Sequence, residues 1–162
     1  MDAATFATLA LACAPLVDPA TAHALVSVES SLNPYAIGVV AGALERQPRT
    51  GAEALATSRR LAAQGWSYSV GLAQINDRNF KRLGLTPESA FDPCINLTAM
   101  QSILTECYGR EVRRGATDQV SLRRALSCYY SGNPHTGFTH GYVQRIARSA
   151  ARLSAFTTKE SS

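Results

Sequence analysis

Glu29 is the acidic residue in this sequence best placed to act as a general acid or base. It follows a stretch in which Ala22, Leu25 and Val26 recur at the spacing of an apolar helical stripe, and it lies on that stripe itself. A carboxylate so placed must be paired, protonated or facing a cleft. It also falls in the expected last turn, where the helix dipole disfavours negative charge. Both effects favour the protonated carboxyl that a general acid needs, whereas the alternative is an ordinary solvated or ion-paired glutamate.

Amide and phenol side chains stand in two short stretches with the composition of turns. Gln74 and Asn76 belong to residues 71–76, Gly-Leu-Ala-Gln-Ile-Asn, and Tyr129 and Tyr130 open the breaker-rich sequence Tyr-Tyr-Ser-Gly-Asn-Pro. Amides in such places usually hydrogen-bond the backbone of the turn. Their functional alternative is recognition of sugar hydroxyls or N-acetyl groups. For the tyrosines, the alternative to a binding role is a place in the core.

The histidines and cysteines do not predict a metal or cofactor site. His23, His135 and His140 form no helical ligand pair, and the four cysteines lack the short spacing of zinc ligands. An even number of cysteines indicates two disulfides or four buried thiols. The helix expected between residues 94 and 107 holds these two cysteines farther apart than the roughly 7 Å between Cα atoms that a disulfide allows. Two connectivities of the four cysteines remain open.

The elements that position these residues are predicted to be mainly helices. Asp18 and Pro19 are typical of a helix start, and Asn33, which precedes a proline, is expected to end the Glu29 helix. Thr50 and Glu53 match a capping box for a helix that continues to about residue 64. Further helices are expected over residues 1–13, after residue 93, from Asp118 as a cap, and from residue 141 past 153. Residues 37–41 form a short β-prone run.

Length and composition indicate one globular domain. The chain has 162 residues, 46% of them apolar and 17% charged, with a net charge of +4. Eight arginines fall between residues 110 and 152, but no nucleic-acid motif accompanies them, so nucleic acid is not a predicted partner. No apolar run approaches the roughly 20 residues of a membrane span, and residues 1–13 are expected to be a helix, not a signal peptide. We expect a domain over residues 1–155 and a polar tail over 156–162.

Four stretches stand in an order that resembles the soluble lytic transglycosylase family: Glu29-Ser30, residues 71–76, residues 129–133, and Tyr142-Val143 with Ile146. In that family a helix ends in a catalytic Glu followed by Ser, and a Gly-Leu-Met-Gln-Ile loop and an Ala-Tyr-Asn-Ala-Gly turn complete the cleft. Tyr130 replaces the Asn of the last motif. The long interval between residues 29 and 71 is most similar to the transglycosylases of type IV secretion and conjugation systems.

The resemblance implies a mostly α, lysozyme-like fold with at most a small β element, and a periplasmic, monomeric enzyme acting on peptidoglycan. It implies that Glu29 is catalytic, that Tyr129 orients it, that Gln74 contacts the muramyl sugar and that Ser30 supports the helix end; Asn76 and Tyr130 are further candidates for substrate binding. Subunits of a secretion or conjugation apparatus are implied partners. The alternatives are a goose-type lysozyme, which would hydrolyse the same bond, and a non-catalytic peptidoglycan-binding scaffold subunit.

Overall fold

The computed structural model describes residues 1–160, and within its last helix it leaves out the side chains of Ser154 and residues 156–160. The described chain is mostly helical, as predicted, with one small sheet. Its helices are α1 (Ala3–Cys13), α2 (Pro19–Ser30), α3 (Gly51–Ala63), α4 (Phe80–Leu83), α5 (Pro93–Arg113), α6 (Asp118–Ser131), α7 (Thr136–Thr139) and α8 (Tyr142–Glu160). Its strands are β1 (Ile37–Val39), β2 (Tyr68–Val70) and β3 (Ile75–Asn76).

The three strands form an antiparallel sheet in the order β1-β2-β3. Ile37 pairs with Val70, which in turn pairs with Ile75, and all three side chains are buried. Strand β1 is an edge strand, and edges with unpaired backbone groups invite further pairing. Here the side chain of Gln47 covers the edge, since it accepts a hydrogen bond from the Ile37 N–H at 2.8 Å and donates one to the Ile37 carbonyl at 2.9 Å.

Helix α2 begins where the sequence predicts but ends earlier. Asp18 accepts a hydrogen bond from the Thr21 N–H at 3.0 Å, and Pro19 is the first helical residue. The helix stops at Ser30, not at the predicted boundary near Asn33, because Ser31 and Leu32 adopt left-handed conformations with φ of 53° and 62°. Leu32 therefore lies outside α2.

The predicted N-cap is confirmed for α3, apart from the partner of Glu53, and is wrong for α6. Thr50 caps α3 by accepting the Glu53 N–H at 3.2 Å, but the Glu53 carboxylate accepts the N–H of Arg49, one residue before the expected partner. Helix α6 has Thr117 as its N-cap residue, so the prediction that Asp118 caps it is wrong. Asp118 is the first helical residue instead, and its carboxylate accepts a hydrogen bond from the Tyr108 hydroxyl at 3.2 Å.

The chain divides into two compact units, each with its own buried side chains. Unit 1 consists of residues 1–15 and 29–100, and unit 2 consists of residues 16–28 and 101–162, of which 161–162 lie outside the described residues. Buried side chains of unit 1 include Phe6, Val70, Leu72, Ile75, Leu97 and Met100. Those of unit 2 include Leu25, Val26, Leu104, Leu126, Tyr142 and Ile146.

Each unit contains one disulfide. Cys13 is bonded to Cys94 in unit 1, with Cα atoms 5.2 Å apart, and Cys107 is bonded to Cys128 in unit 2, with Cα atoms 6.0 Å apart. Helix α5 is continuous through residues 94 and 107, which confirms that these two cysteines do not pair. The structure thus selects one of the two connectivities that the sequence left open.

The C-terminal segment is helical further than expected. Helix α8 continues to Glu160, through most of the tail predicted over residues 156–162. Residues 161–162 of that tail lie outside the described residues. Over residues 1–160, we find no helix with both the length and the apolar character needed to cross a membrane.

Candidate active site

Glu29 and Ser30 form the C-terminal end of α2, and both are half-buried. The chain turns away directly after them through Ser31 and Leu32, the two consecutive left-handed residues. Such backbone is costly for residues with a Cβ, at about 1–2 kcal/mol each, and it clusters at functional sites. The turn is closed by Asn33, whose N–H donates to the Ser30 carbonyl at 3.0 Å. The fold therefore holds Glu29 at a helix end followed by strained backbone.

Gln74 lies in a second strained turn of unit 1, between β2 and β3. Its φ is 49°, and its side-chain Nε2 donates hydrogen bonds to the carbonyls of Ala36 and Gly71, both at 3.0 Å. The Gly71 N–H also donates to the Ala36 carbonyl, at 2.9 Å. The NH2 group of Gln74 thus hydrogen-bonds the backbone of the turn, which is the structural role expected for such an amide. Its Oε1 faces Gly38, where an added Cβ would approach it to 2.8 Å.

Asn96 organises the same turn, and the sequence analysis missed it. It is fully buried; its Oδ1 accepts the Ala73 N–H at 2.8 Å, and its Nδ2 donates to the carbonyls of Val70 and Ala90 at 3.0 and 2.8 Å. Gly71 packs directly against this amide, and a Cβ there would lie 2.8 Å from the Asn96 Cγ. The available signal was an Asn four residues before Met100, on the apolar face of α5.

Asn76 braces the β2–β3 pair. Its Nδ2 donates to the Tyr68 carbonyl at 3.1 Å and lies 3.3 Å from the hydroxyls of Ser67 and Ser69. Its Oδ1 accepts the Arg78 N–H at 3.2 Å and so caps a short 3-10 helix over Asp77–Asn79. Each of the atoms by which Asn76 would contact a sugar therefore already has a partner in unit 1.

Tyr129 and Tyr130 lie in the last turn of α6, in unit 2. Tyr129 is half-buried, whereas Tyr130 is exposed and stacks on Tyr142 with ring centroids 4.6 Å apart. The Tyr130 hydroxyl hydrogen-bonds to His140 Nδ1 at 3.2 Å, and the Arg145 guanidinium lies 5.8 Å from the Tyr142 ring centroid. Tyr130 is thus the exposed member of an aromatic pair whose other ring, Tyr142, is buried and lies near the Arg145 guanidinium.

The turn after the two tyrosines is fixed by a buried serine. Ser127 Oγ accepts the Gly137 N–H at 2.8 Å and donates to the Asn133 carbonyl at 2.9 Å. Gly137 approaches so closely that a Cβ would lie 2.6 Å from the Ser127 Cα. Any residue larger than glycine would push α7 away from α6, so this turn requires glycine at position 137.

Comparison with known proteins identifies the family. The sequence profile described as "Transglycosylase SLT domain" matches residues 7–150. The chain belongs to this family. The SLT chain is 48% identical over 151 residues to the type IV secretion system protein virB1 of Brucella abortus biovar 1 (strain 9-941), covering 90% of this chain and 63% of the relative. It is 38% identical over 152 residues to protein virB1 of Agrobacterium fabrum (strain C58), covering 93% of this chain and 61% of the relative.

These relatives are longer than the chain, which spans about three fifths of their length. No solved structure matches the chain significantly. The predicted resemblance to the lytic transglycosylases of type IV secretion systems is therefore confirmed at the level of family and relatives.

Part of the predicted site of this SLT domain belongs to a single unit of the chain. Glu29, Ser30, Gln74 and Asn76 belong to unit 1, together with the residue that sequence reasoning missed, Asn96. Tyr129 and Tyr130 belong to unit 2, and the predicted hydrogen bond from Tyr129 to Glu29 stays a prediction. Among the described residues, no group of three His, Cys, Asp or Glu side chains is arranged to hold a metal ion.

Proposed function

We propose that this SLT domain is the catalytic part of a peptidoglycan lytic transglycosylase. It would cleave the β-1,4 bond between N-acetylmuramic acid and N-acetylglucosamine and leave a 1,6-anhydromuramic end. The observation that carries the proposal is the family match over residues 7–150, a range that includes Glu29. The Glu29-Ser30 motif supports Glu29 as the catalytic residue. The half-buried Glu29 carboxylate at the end of α2, beside strained backbone, supports that role.

In the proposed mechanism Glu29 acts first as an acid and then as a base. It donates its proton to the glycosidic oxygen, and the bond between that oxygen and the muramyl C1 breaks. The carbonyl oxygen of the substrate's own 2-acetamido group bonds to C1 and stabilises the cation. The Glu29 carboxylate then takes the proton of the C6 hydroxyl, and O6 displaces the acetamido oxygen from C1. No water is consumed, and Glu29 ends in its starting protonation state.

Four other acidic side chains of unit 1 already have partners within that unit, which favours this mechanism over hydrolysis by two carboxylates. Asp77 accepts hydrogen bonds from the Ser67 hydroxyl and the Tyr68 N–H, and Asp92 caps α5 through the Ile95 N–H. Glu53 and Glu88 form ion pairs with arginines. A hydrolase of the usual kind needs a second carboxylate free to activate water or attack the sugar. A transglycosylase needs one, since the C6 hydroxyl replaces water.

The relatives suggest where this activity is used. Since the Brucella relative is named a type IV secretion system protein, and the Agrobacterium relative is also named virB1, we propose that the domain opens the cell wall locally for a secretion or conjugation apparatus. It would act on the periplasmic side of the envelope, as a monomer, with glycan strands as substrate and apparatus subunits as partners.

The test is the Glu29→Gln variant, examined for products and for stability. The amide has nearly the shape of the carboxyl but cannot transfer the proton, so cell-wall clearance should fall by at least about 10²- to 10⁴-fold. The thermal midpoint should stay level or rise, because a carboxylate near the negative helix end is removed. Glu88→Gln, which alters an exposed carboxylate paired with Arg59, serves as the control and should retain clearance.

Product analysis separates the proposal from its alternatives. Mass spectrometry of digested peptidoglycan should show 1,6-anhydromuramic ends. Reducing muramic ends alone would assign the domain to the hydrolases, and binding of peptidoglycan with no product would assign it to scaffold proteins. A well-folded Glu29→Gln protein that still clears cell walls would end the case for Glu29.

A further inference from the structure

Unit 1 contains an open cleft of about 730 Å³ whose lining includes none of the candidate site residues. Volumes of several hundred Å³ are typical of pockets that bind small molecules or ligand segments. The cleft lies between α3 on one side and Val39 with the loop of residues 42–48 on the other, and Trp66 stands at its edge. It is therefore built from the long segment between β1 and β2.

The cleft is separate from the Gln74 turn because of the alternation of β1. Successive side chains of a strand point to opposite faces of the sheet. Gly38 faces the Gln74 amide, whereas its neighbour Val39 lines the cleft. The cleft and Gln74 thus meet opposite faces of β1.

One wall of the cleft is a continuous stripe of α3. The lining residues recur at steps of three and four, so they share one helical face: Glu53, Ala56, Thr57, Arg60, Leu61 and Gln64. The last of these residues lies eleven positions after the first, which gives a wall about 16 Å long at a rise of 1.5 Å per position. Polar side chains succeed one another along it, so the cleft suits an extended ligand with hydrogen-bonding groups along its length.

The backbone of Trp66 is fixed by the end of α3, and 44% of the residue's surface is exposed. Helix α3 ends in a Schellman motif: the Gly65 N–H donates to the Ala62 carbonyl and the Trp66 N–H to the Leu61 carbonyl, both at 3.0 Å. Gly65 supplies the required positive φ, at 73°. Trp66 thus carries a large apolar ring from a fixed backbone position at the edge of the cleft.

The charged side chains of the cleft are equal in number for each sign, and some of them already form an ion pair. Two acidic side chains, Glu45 and Glu53, face two basic ones, Arg46 and Arg60, so the lining selects neither anions nor cations. Glu53 pairs with Arg46, whereas the Arg60 guanidinium forms no ion pair with any side chain that the structure describes. Arg60 is therefore available to donate hydrogen bonds to a ligand.

We propose that this cleft binds a stretch of the glycan strand, with Trp66 stacked on an N-acetylhexosamine ring and Arg60 bonded to its hydroxyl or acetamido oxygens. The inference rests on the proposed function, since it assigns a second, non-catalytic binding site for the same substrate. A pyranose ring presents an apolar C–H face and a polar rim, which match an exposed indole beside long polar side chains. An apolar polypeptide segment would need several apolar pockets, whereas most of this wall is polar.

Trp66 is the only tryptophan in the chain, so its fluorescence reports on this cleft directly. Chitotetraose, an uncharged oligomer of N-acetylglucosamine, is titrated into the Glu29→Gln protein to prevent turnover. Stacking of a sugar on the exposed indole should shift the emission to shorter wavelength with saturation. The free stem peptide of peptidoglycan, titrated alone, should leave the emission unchanged.

Two adjacent arginines provide a matched pair of variants. Arg60→Gln, on the cleft face, should raise the midpoint of the fluorescence titration several-fold, whereas Arg59→Gln, whose side chain pairs with Glu88, should not. Trp66→Ala should weaken binding to glycan strands freed of stem peptides by roughly tenfold, as expected for loss of an aromatic anchor. Trp66→Phe should recover part of that loss.

The inference is overturned by any of three results: no emission change with chitotetraose, an equal change with the stem peptide, or equal effects of Arg59→Gln and Arg60→Gln. These results are separate from the fate of the proposed function. If anhydro products form while Trp66→Ala binds glycan normally, the proposed transglycosylase activity is supported and the proposed glycan site in the cleft is refuted. If Glu29→Gln still degrades cell walls, the catalytic assignment fails, and the Trp66 titration can be repeated at low temperature.

Discussion

Removal of the Asn96 side chain should destabilise unit 1 more than removal of any exposed amide. Asn96→Ala deletes three hydrogen bonds at a fully buried site, one from the Ala73 N–H and two to the carbonyls of Val70 and Ala90. A buried polar group that loses its partner costs about 1–3 kcal/mol. With some relaxation of the three groups, we expect a loss of about 4 kcal/mol in the free energy of unfolding. That is a large share of the roughly 5–15 kcal/mol of a whole domain.

Gly71→Ala probes the same contact from the opposite side. The new Cβ would overlap the Asn96 amide, lying 2.8 Å from Cγ, and alanine would have to adopt a φ of 78°, which alone costs about 1–2 kcal/mol. In the double variant the overlap disappears with the Asn96 side chain. The combined loss should therefore be smaller than the sum of the single losses by about 1–2 kcal/mol, within the range measured for residues in contact.

Urea unfolding of the parent, the two single variants and the double variant measures this coupling. With an m-value of about 2 kcal/mol per M, Asn96→Ala should lower the midpoint by about 2 M. Asn79→Ala is the matched control, because Asn79 is only half-buried and its side chain accepts a hydrogen bond from Arg82 at 3.2 Å; it should change the unfolding free energy by less than about 1 kcal/mol. An Asn96→Ala midpoint equal to that of the control, or strictly additive variants, would refute the role assigned to Asn96.

Two further outcomes follow from the disulfides and from the capping carboxylate of α3. The bridges close loops of 81 and 21 residues, so replacing both cysteines of the first by Ser should cost about 4.5 kcal/mol and of the second about 3.3 kcal/mol on the loop-entropy estimate, measurable by denaturant unfolding. A smaller cost for the longer loop would contradict that account. The Arg46 guanidinium and the Arg49 N–H lower the pKa of Glu53 from 4.5 to about 2. The stabilisation of the fold by the ionised Glu53 carboxylate is therefore complete above pH 4.5 and is lost as the pH falls through 2. The difference in thermal midpoint between the parent and Glu53→Gln should shrink over that range.

Local signals in the sequence were sufficient for several elements. Asp18 and Pro19 mark the start of α2, and Thr50 marks that of α3, because a cap depends only on residues within one helical turn. The choice between Thr117 and Asp118 was less well defined, since both residue types cap helices and they are adjacent. A local rule could not decide between them.

The strained and buried parts of the candidate site depend on distant residues. Neither Ser31 nor Leu32 favours left-handed backbone, so their conformations are imposed by the fold. The partners of Asn96 lie up to 26 residues away, in a strand end, a turn and a short 3-10 helix that only the folded chain brings together. The sequence therefore located the turn that contains Gln74 but not the residue on which its shape depends.

The pairing of the cysteines has a consequence for how the chain matures. Both disulfides join cysteines that are consecutive along the chain, the first with the second and the third with the fourth. In a chain that enters an oxidising compartment from its N-terminus, Cys13 meets its native partner Cys94 before Cys107 has emerged. Oxidation in order of appearance thus gives the native bonds directly, with no reshuffling by an isomerase, and each unit is cross-linked as soon as its own second cysteine arrives.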